Sequence, residues 1–326
     1  MKKDSTQQII KTSFNLKQNS KIYIAGHQGM VGSACLRLLK RKGYNQLIYK
    51  TKKELDLTKQ NDVADFFKHE TPKAVIAAAA KVGGIWANNE YPYDFLMSNM
   101  LIQNNLIKAA LENGVEKFIF LGSSCIYPRM SNQPIKEEYL LEGQLEKSNQ
   151  WYAIAKISGV KLIESIRRVY KKDYVSLMPT NMYGPNDNYD LEKSHVLPAL
   201  IRKFHEAKVK GDLPVVLWGS GEPLREFLHV DDLASAIFFL LKSKTHDNIY
   251  NVGSGEEISI KNLSLIVQKI VGHKGLIVWD DSKPDGTPRK LLNSSRLNSL
   301  GWKHEINLHD GVKKTYSELE KNNFIF

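Results

Sequence analysis

The pattern of apolar and polar positions predicts alternating strands and helices in the first half of the chain. A short apolar segment at 21–25 precedes residues 30–42, whose apolar side chains recur at helical spacing. Strands that alternate with helices are typical of an α/β fold with a doubly wound parallel sheet. Beyond the first pair, strands are predicted at 46–49, 73–79, 117–121 and 174–178, and helices at 99–112 and 152–170.

The pattern becomes irregular after Pro179, where further prolines interrupt it. Helices are still predicted near 197–207, 232–242 and 260–271, and a strand is predicted to end at 250–253. We therefore expect a Rossmann-type domain and a smaller α/β substrate-binding lobe, with the ligand cleft between them. The predicted parts are a flexible N-terminal extension at 1–18, a dinucleotide-binding domain at 19–180 with returning segments near 226–253, and a mainly substrate-binding domain at 181–326.

A glycine-rich turn lies between the first predicted strand and the first predicted helix. Glycines permit a positive φ and close backbone approach, and the helix N-terminus offers N–H groups to a diphosphate. An ordinary turn between a strand and a helix is the alternative interpretation of the glycines alone. The residues predicted to contact a cofactor here are Gly26, Gln28, Gly29, Met30, Val31 and Gly32.

Lysines follow the second predicted strand, where a protein that prefers NAD more often places a carboxylate for the ribose 2′-hydroxyl. Cations at this place favour a 2′-phosphate, and hence NADPH. We expect Lys50 and Lys52 to make that contact. A solvated basic loop is the alternative.

Composition places the chain among ordinary globular proteins. It has 326 residues, of which 42% are hydrophobic and 25% are charged. Two cysteines cannot form a disulfide framework, and Cys35 lies on the apolar side of a predicted helix, where a buried thiol is expected. The N-terminal residues are polar, and no apolar run is long enough to span a bilayer. These features favour a cytoplasmic protein without a membrane partner.

The net charge of +11 and the pI near 9.3 raise the possibility of nucleic-acid binding. The basic residues are scattered, however, and no aromatic side chains are interleaved with them as a platform for bases. Attraction of a phosphorylated cofactor and an anionic substrate explains the charge. We expect no nucleic-acid partner and no metal site.

A candidate reactive centre follows the strand predicted at 117–121. Ser123 lies just beyond this strand, and Tyr152 and Lys156 lie one helical turn apart on the next helix. An ammonium beside a phenol stabilises the phenolate, so Tyr152 is expected to exchange a proton near neutral pH while Ser123 holds a carbonyl. A plain amphipathic helix is the alternative for this spacing, but the order of glycine turn, serine and helix favours a reductase.

These motifs and several longer runs resemble the extended short-chain dehydrogenases/reductases, and among them the GDP-L-fucose synthase family. The glycine turn and the Tyr-x-x-x-Lys spacing belong to the whole superfamily, whereas the runs that contain Cys125 and His195 are specific to this enzyme type. The resemblance covers roughly residues 20–320. The runs that support it are 25–34, 77–85, 122–128, 152–156, 179–185, 194–200, 218–221, 225–232 and 283–290.

The resemblance implies a bifunctional NADPH-dependent enzyme that converts GDP-4-keto-6-deoxy-D-mannose to GDP-L-fucose by C3 and C5 epimerisation and C4 reduction. A C4 ketone acidifies the hydrogens on both flanking carbons, so one acid/base pair can invert both. The family pattern makes Cys125 the base, as a partly exposed thiol, and His195 the acid. Ser123 and Tyr152 would stabilise the enolate. Lys156 would act on the phenol and on the nicotinamide ribose.

The resemblance also implies further ligand contacts and a homodimer. Arg225 matches a family residue that binds the substrate diphosphate. Gln28 stands where relatives can place an arginine beside the 2′-phosphate, so we expect NADPH preference with more tolerance of NADH than usual. The other implied cofactor contacts are Asp56, Leu57, Ala78, Lys156, Pro179, Asn181, Met182 and His195, and the other implied substrate contacts are Ser124, Lys203, Trp218, Lys283 and Asp285.

Two alternatives remain open from the sequence. One is a related enzyme of the GDP-L-colitose synthase type, which acts on a 3,6-dideoxy GDP-sugar and needs epimerisation only at C5. The other is a non-catalytic nucleotide- or RNA-binding module, since a reductase fold does not fix function. The intact reactive residues argue against the second alternative.

Overall fold

The computed structural model describes residues 13–191, 194–283 and 285–324, without the side chains of residues 85 and 86. The strands are β1 (Ile22–Ala25), β2 (Leu47–Ile48), β3 (Ala74–Ala77), β4 (Lys117–Leu121), β5 (Asp173–Pro179), β6 (Asn181–Tyr183), β7 (Val215–Trp218), β8 (Leu224–His229), β9 (Ile249–Val252), β10 (Glu257–Ser259), β11 (Ile277–Asp280) and β12 (Arg289–Lys290). The helices are α1 (Met30–Arg41), α2 (Gln60–Glu70), α3 (Ile85–Glu90), α4 (Pro92–Glu112), α5 (Gln150–Tyr170), α6 (Val196–Val209), α7 (Val230–Lys242), α8 (Ile260–Val271), α9 (Ser295–Ser299) and α10 (Leu308–Lys321).

A six-stranded parallel sheet forms the centre of the larger lobe, with the strand order β2-β1-β3-β4-β5-β9. Strands β1, β3 and β4 are buried along their whole length, because helices cover both faces of the sheet. Leu39 and Ile237, from α1 and α7, belong to the apolar core on one face. Phe67 and Ile163, from α2 and α5, belong to the core on the other face. This arrangement confirms the predicted doubly wound parallel sheet.

The smaller lobe contains two small sheets. Strand β8 pairs with β10 in the antiparallel direction and with β12 and β6 in the parallel direction, and β7 pairs with β11. Phe204, Leu263 and Val312, from α6, α8 and α10, belong to a third apolar core. Helix α7 and strand β9 lie between these elements in sequence but belong to the larger lobe. Helix α7 packs on α1, and β9 pairs with β5 at the edge of the central sheet.

The N-terminal segment differs from the prediction of a flexible extension at 1–18. Residues 1–12 lie outside the described residues. Leu16, however, is only 2% exposed and belongs to the core beneath α7. The backbone N–H of Phe14 donates to the carbonyl of Lys242 at 2.8 Å, and the ammonium of Lys242 donates to the carbonyl of Leu16 at 3.0 Å. Residues 13–18 therefore pack on the fold, and the predicted boundary at residue 18 is too late.

Several helices also differ from the sequence prediction, and α2, α3, α9 and α10 were not predicted. Helix α4 begins at Pro92, a residue type favoured in the first turn of a helix, and not near residue 99. Helix α2 was not predicted, since Val63 and Phe67 are its only buried side chains and its other residues are mostly polar. Across the part of the chain that the structure describes, none of the helices has the length and apolarity to cross a membrane.

Candidate active site

A cavity of about 900 Å³ opens at the carboxyl ends of the central strands. Its wall includes Gly26 after β1, Ala78 after β3, Gly122 after β4 and Thr180 after β5. The carboxyl ends of parallel strands meet at one edge of a sheet, which is where ligands of open α/β sheets bind. Residues of the second lobe, including His195, complete the wall.

The glycine turn at the cavity is packed too closely to accept side chains at two positions. Gly26 has a φ of +81°, and a Cβ atom there would lie 2.7 Å from the backbone nitrogen of Ala79. A Cβ atom on Gly32 would lie 2.2 Å from the carbonyl oxygen of Gly26. Gly29 caps α1 without a side-chain hydrogen bond, and the buried Nδ1 of His27 has no hydrogen-bond partner. A helix N-terminus held against such a turn fits the diphosphate of a dinucleotide.

Most of the predicted cofactor residues lie on this cavity. Lys50 and Lys52 are both on its wall, and the ammonium of Lys50 lies 3.9 Å from Glu54 Oε1. Gly32 packs behind the turn, and Lys156 is buried behind the wall. The other predicted contacts on the wall are Gly26, Gln28, Gly29, Met30, Val31, Asp56, Leu57, Ala78, Pro179, Asn181, Met182 and His195.

Cys125 is less accessible than the sequence analysis predicted. It lies in a turn of 3₁₀ helix, Ser124–Ile126, and its backbone N–H donates to Ser123 Oγ at 3.3 Å. The residue is 9% exposed, so the prediction of a partly exposed thiol is wrong, although Cys125 and Ser124 still line the cavity. Burial raises the pKa of the Cys125 thiol, whereas the ammonium of Lys290 and the hydrogen bond to Ser123 act in the opposite direction. The thiol is therefore protonated near neutral pH.

Tyr152 and Lys156 lie on one face of α5, but the ammonium makes its hydrogen bond to the backbone and not to the phenol. Lys156 Nζ donates to the carbonyl of Leu121 at 2.7 Å and lies 5.7 Å from the centre of the Tyr152 ring. Burial lowers the pKa of Lys156 to about 8. Burial and the neighbouring Cys125 raise the pKa of the Tyr152 phenol. The predicted titration of Tyr152 near neutral pH is not found, and the neutral phenol suits a proton donor.

His195 comes from the second lobe, where it precedes α6 as its N-cap residue. Desolvation in the cleft lowers the pKa of the imidazole, and the ammonium of Lys290 lowers it further. His195 is therefore neutral near physiological pH. The cavity thus brings Ser123, Cys125, Tyr152 and His195 together on its wall.

Five predicted substrate residues form a separate basic cluster outside the cavity wall. The ammonium groups of Lys203 and Lys283 lie 5.9 and 5.7 Å from the ring of Trp218, which is 68% exposed. Asp285 accepts hydrogen bonds from the backbone and side chain of Ser220 at 3.0 and 2.6 Å. The fifth member, Arg225, donates to the carbonyl of Leu224 at 2.8 Å, and the charge of Asp285 acts on its guanidinium.

Lys290 connects the basic cluster to the cavity, and the sequence analysis did not identify it as a site residue. It lies on β12 directly beside Arg225 on β8, and its side chain lines the cavity. Its charge acts on both Cys125 and His195. The sequence signal that could have identified Lys290 was its place at the end of the 283–290 run. Pro284, in the same run, lies outside the described residues.

Five of the other cavity-wall residues that were missed share one feature: His27, Asn88, Asn149, Asp187 and Ser194. Each has a buried side-chain nitrogen or oxygen atom without a hydrogen-bond partner among the described residues. Burial raises the pKa of Asp187 to about 7. A buried polar atom without a partner is unfavourable, and a polar ligand can supply that partner. No sequence signal marked them, because only the tertiary fold brings them to one cavity.

Comparison with protein families gives a match over most of the chain. A model of the NAD dependent epimerase/dehydratase family matches residues 22–253. GDP-L-fucose synthase 1 from Arabidopsis thaliana is 55% identical over 305 residues, which are 94% of each chain. GDP-L-colitose synthase from Yersinia pseudotuberculosis is 41% identical over 308 residues, which are 93% of this chain and 99% of the relative.

A similar arrangement is found among solved structures. The structure described as MlghC, a GDP-mannoheptose C4 reductase from Campylobacter jejuni with NADP bound, has a TM-score of 0.86 and 40% sequence identity. The match covers 94% of this chain and 99% of the reductase. The agreement extends over both lobes, so it includes the segments that form the cavity.

Proposed function

Because the chain belongs to the NAD dependent epimerase/dehydratase family, we propose that it is a GDP-L-fucose synthase with NADPH as its cofactor. The reaction is epimerisation of GDP-4-keto-6-deoxy-D-mannose at C3 and C5, followed by reduction at C4. The observation that carries the proposal is that one cavity combines a dinucleotide seat with Cys125, Tyr152 and His195. The relatives named above support the choice of a GDP-sugar.

The residues on the cavity wall can perform the epimerisation. The C4 carbonyl makes the hydrogens at C3 and C5 acidic, and Cys125 in its thiolate form removes one as a proton. Ser123 and Tyr152 donate hydrogen bonds to the enolate oxygen that forms. His195 in its protonated form returns a proton to the same carbon from the opposite side of the ring. The result is inversion at that carbon without any change in oxidation state.

The same carbonyl is then reduced. NADPH, when bound, supplies the hydride for C4. Tyr152 donates its phenolic proton to O4, and its raised pKa keeps that proton in place until the oxygen becomes basic. Lys156, close behind the phenol, stabilises the tyrosinate that is left. Lys290 and Arg225 supply positive charge between the cavity and the basic cluster, which suits the diphosphate of the substrate.

The proposal is tested by incubating the purified protein with NADPH and GDP-4-keto-6-deoxy-D-mannose. Absorbance follows NADPH oxidation, and NMR of the product identifies the sugar. Turnover to GDP-L-fucose is expected. A product that keeps the starting configuration at C3 and C5 would contradict the epimerase part, and tight NADPH binding without turnover would contradict the choice of substrate.

Two variants separate the roles of the reactive residues. We expect Cys125→Ser to bind NADPH normally but to lose most exchange of the C3 and C5 hydrogens with solvent deuterium. We expect Tyr152→Phe to abolish reduction while some exchange persists, because the wall still contains the thiol and imidazole. Normal deuterium exchange in the first variant, or normal NADPH oxidation in the second, would remove the residue concerned from the mechanism.

A second candidate function is C5 epimerisation and C4 reduction of a 3,6-dideoxy GDP-sugar. The 41% identity to a GDP-L-colitose synthase supports this second candidate. The same base and acid would serve, so the two functions differ in how the cavity treats the C3 hydroxyl. Relative kcat/KM for the two substrates decides between them. Binding of RNA that depends on salt and is unaffected by NADPH would instead support the nucleic-acid alternative.

We also propose a homodimer formed through α4 and α5. Tyr93, Met97 and Leu101 follow one stripe of α4 and are 70%, 40% and 39% exposed, and Trp151 and Ile154 on α5 are 39% and 40% exposed. The two helices pack against each other, so these side chains form an apolar surface that a second copy can cover. Light scattering should give a dimer for the wild type and a monomer for Met97→Lys combined with Leu101→Lys. A cytoplasmic location remains a prediction from the sequence.

A further inference from the structure

Two buried polar atoms next to the reactive residues have no hydrogen-bond partner among the described residues. Asn149 caps α5 and precedes Tyr152 by three residues, and Ser194 directly precedes His195. Both residues line the cavity. Asn149 Oδ1 and Ser194 Oγ are buried and make no hydrogen bond within the part of the chain that the structure describes. The helix cap does not use the Asn149 side chain either.

The proton-transfer mechanism does not use either atom. Deprotonation and reprotonation involve Cys125 and His195, and the carbonyl oxygen is held by Ser123 and Tyr152. A buried oxygen that lacks a partner is unfavourable by itself, so its presence beside a reaction centre indicates a ligand group that pairs with it. Rotation about one side-chain bond is enough to turn a serine hydroxyl or an asparagine amide toward a ligand.

We propose that Asn149 and Ser194 hydrogen-bond the hydroxyl groups of the sugar ring and make the enzyme select a GDP-4-ketohexose that carries a hydroxyl at C3. This inference rests on the proposed function and extends it to substrate selection. The C4 carbonyl is fixed at Tyr152, and a residue one helical turn away reaches the substituents on the neighbouring ring carbons. Of these neighbours, C5 carries a methyl group in both candidate substrates, and C3 carries a hydroxyl in only one.

The physical basis for selection is the pairing of buried polar groups. A site built to hydrogen-bond a substrate hydroxyl discriminates strongly against the analogue that lacks it, because the protein atoms then stay unpaired in the closed complex. A serine hydroxyl donates and accepts, and the asparagine amide supplies an acceptor through Oδ1 and donors through Nδ2. Together they match a sugar hydroxyl, which also needs one acceptor and one donor.

The experiment compares GDP-4-keto-6-deoxymannose with GDP-4-keto-3,6-dideoxymannose by kcat/KM. For the wild type we expect a preference of at least about 100-fold for the 3-hydroxylated sugar, within the range for sites of this kind. For Asn149→Ala and Ser194→Ala we expect losses of about tenfold or more with the 3-hydroxylated sugar and a much smaller change with the 3-deoxy sugar. Ser194→Thr keeps the hydroxyl and should keep most of the preference.

A matched control is available in Ser131, whose buried Oγ also has no partner but which does not line the cavity. Ser131→Ala should change neither kcat/KM value. Each variant is first checked for NADPH binding by fluorescence, which shows that the fold and the cofactor seat are intact. A wild type that lacks the preference, or alanine variants that affect both sugars equally, would overturn the inference. Failure of the proposed function looks different, since the wild type would then not convert GDP-4-keto-6-deoxymannose at all.

Discussion

Two of the three glycines of the cofactor turn, Gly32 and Gly29, lead to different predictions for the same substitution. A Cβ atom on Gly32 would lie 2.2 Å from the carbonyl oxygen of Gly26 and 2.9 Å from the Cα of His27. Both neighbours are backbone atoms, so no side-chain rotation relieves the clash. A Cβ atom on Gly29 meets Gly26 O at 3.5 Å, which is an ordinary contact, and the φ of Gly29 is −76°.

The size of the Gly32→Ala effect follows from these distances. Restoring ordinary contact requires α1 to move by roughly 1 Å away from the turn, given a normal separation of about 3.5 Å. Overpacking of this kind costs about 1–3 kcal/mol, and each kcal/mol lowers Tm by about 2–4 °C in domains of 150–250 residues. The same shift takes the N-terminus of α1 away from the diphosphate and removes about one charge-assisted hydrogen bond, or about 1.5–3 kcal/mol of binding.

Gly29→Ala should behave differently, because its methyl group enters the cavity and not the protein. We expect its Tm without ligand to match the wild type, while NADPH binding weakens through contact with the diphosphate. Gly32→Ala should lower Tm and also weaken NADPH binding about 10- to 100-fold, from the loss of one such hydrogen bond. Calorimetry and fluorescence titration measure the two quantities. A Gly32→Ala protein with unchanged Tm, or a Gly29→Ala protein destabilised to the same extent, would refute the reasoning.

Two further predictions concern lysines on the cavity wall. Lys290→Met removes the ammonium and should raise the pKa of the Cys125 thiol, so that less thiolate is present at any pH. Alkylation of Cys125 by iodoacetamide, followed by mass spectrometry, should then become several-fold slower. An unchanged rate would contradict the electrostatic contact. Lys50→Ala combined with Lys52→Ala should raise KM for NADPH far more than KM for NADH. The control Lys53→Ala, from the same run but outside the cavity wall, should change neither KM value. Equal effects on both cofactors would mean that the two lysines belong to a solvated loop.

The parts of the fold that the sequence predicted well are those fixed by short-range pattern. The strand Lys117–Leu121 and the helix Ile260–Val271 were located to the residue. Fully buried parallel strands are short apolar runs, and a helix with one apolar face shows its period clearly. Helix α2 lacked this signal, because it buries only Val63 and Phe67 along eleven residues.

The candidate site was predictable where one segment carries the chemistry, as in the glycine turn or the Tyr152 and Lys156 pair. It was not predictable where tertiary packing determines which side chains meet and how deeply they are buried. The 3₁₀ turn that buries Cys125 changes the environment of its thiol, and a strand of two residues brings Lys290 beside it. Neither position has a periodicity or spacing that the sequence alone reveals. The protonation states of the site therefore required the structure.

Those protonation states bear on the order of events in the cavity. Desolvation in the cleft favours neutral forms, and it leaves Cys125 as a thiol and His195 as a neutral imidazole. An epimerisation by a thiolate base and an imidazolium acid ends with this same pair, because the base has gained one proton and the acid has lost one. The neutral pair is therefore the state that follows an inversion. The active pair has the same number of protons, so moving one proton from the thiol to the imidazole is sufficient to prepare each of the two inversions. Lys290 acts on both groups with opposite results, because its charge favours the thiolate but disfavours the imidazolium. An anionic group that neutralised this lysine would therefore make the imidazolium more favourable and the thiolate less favourable.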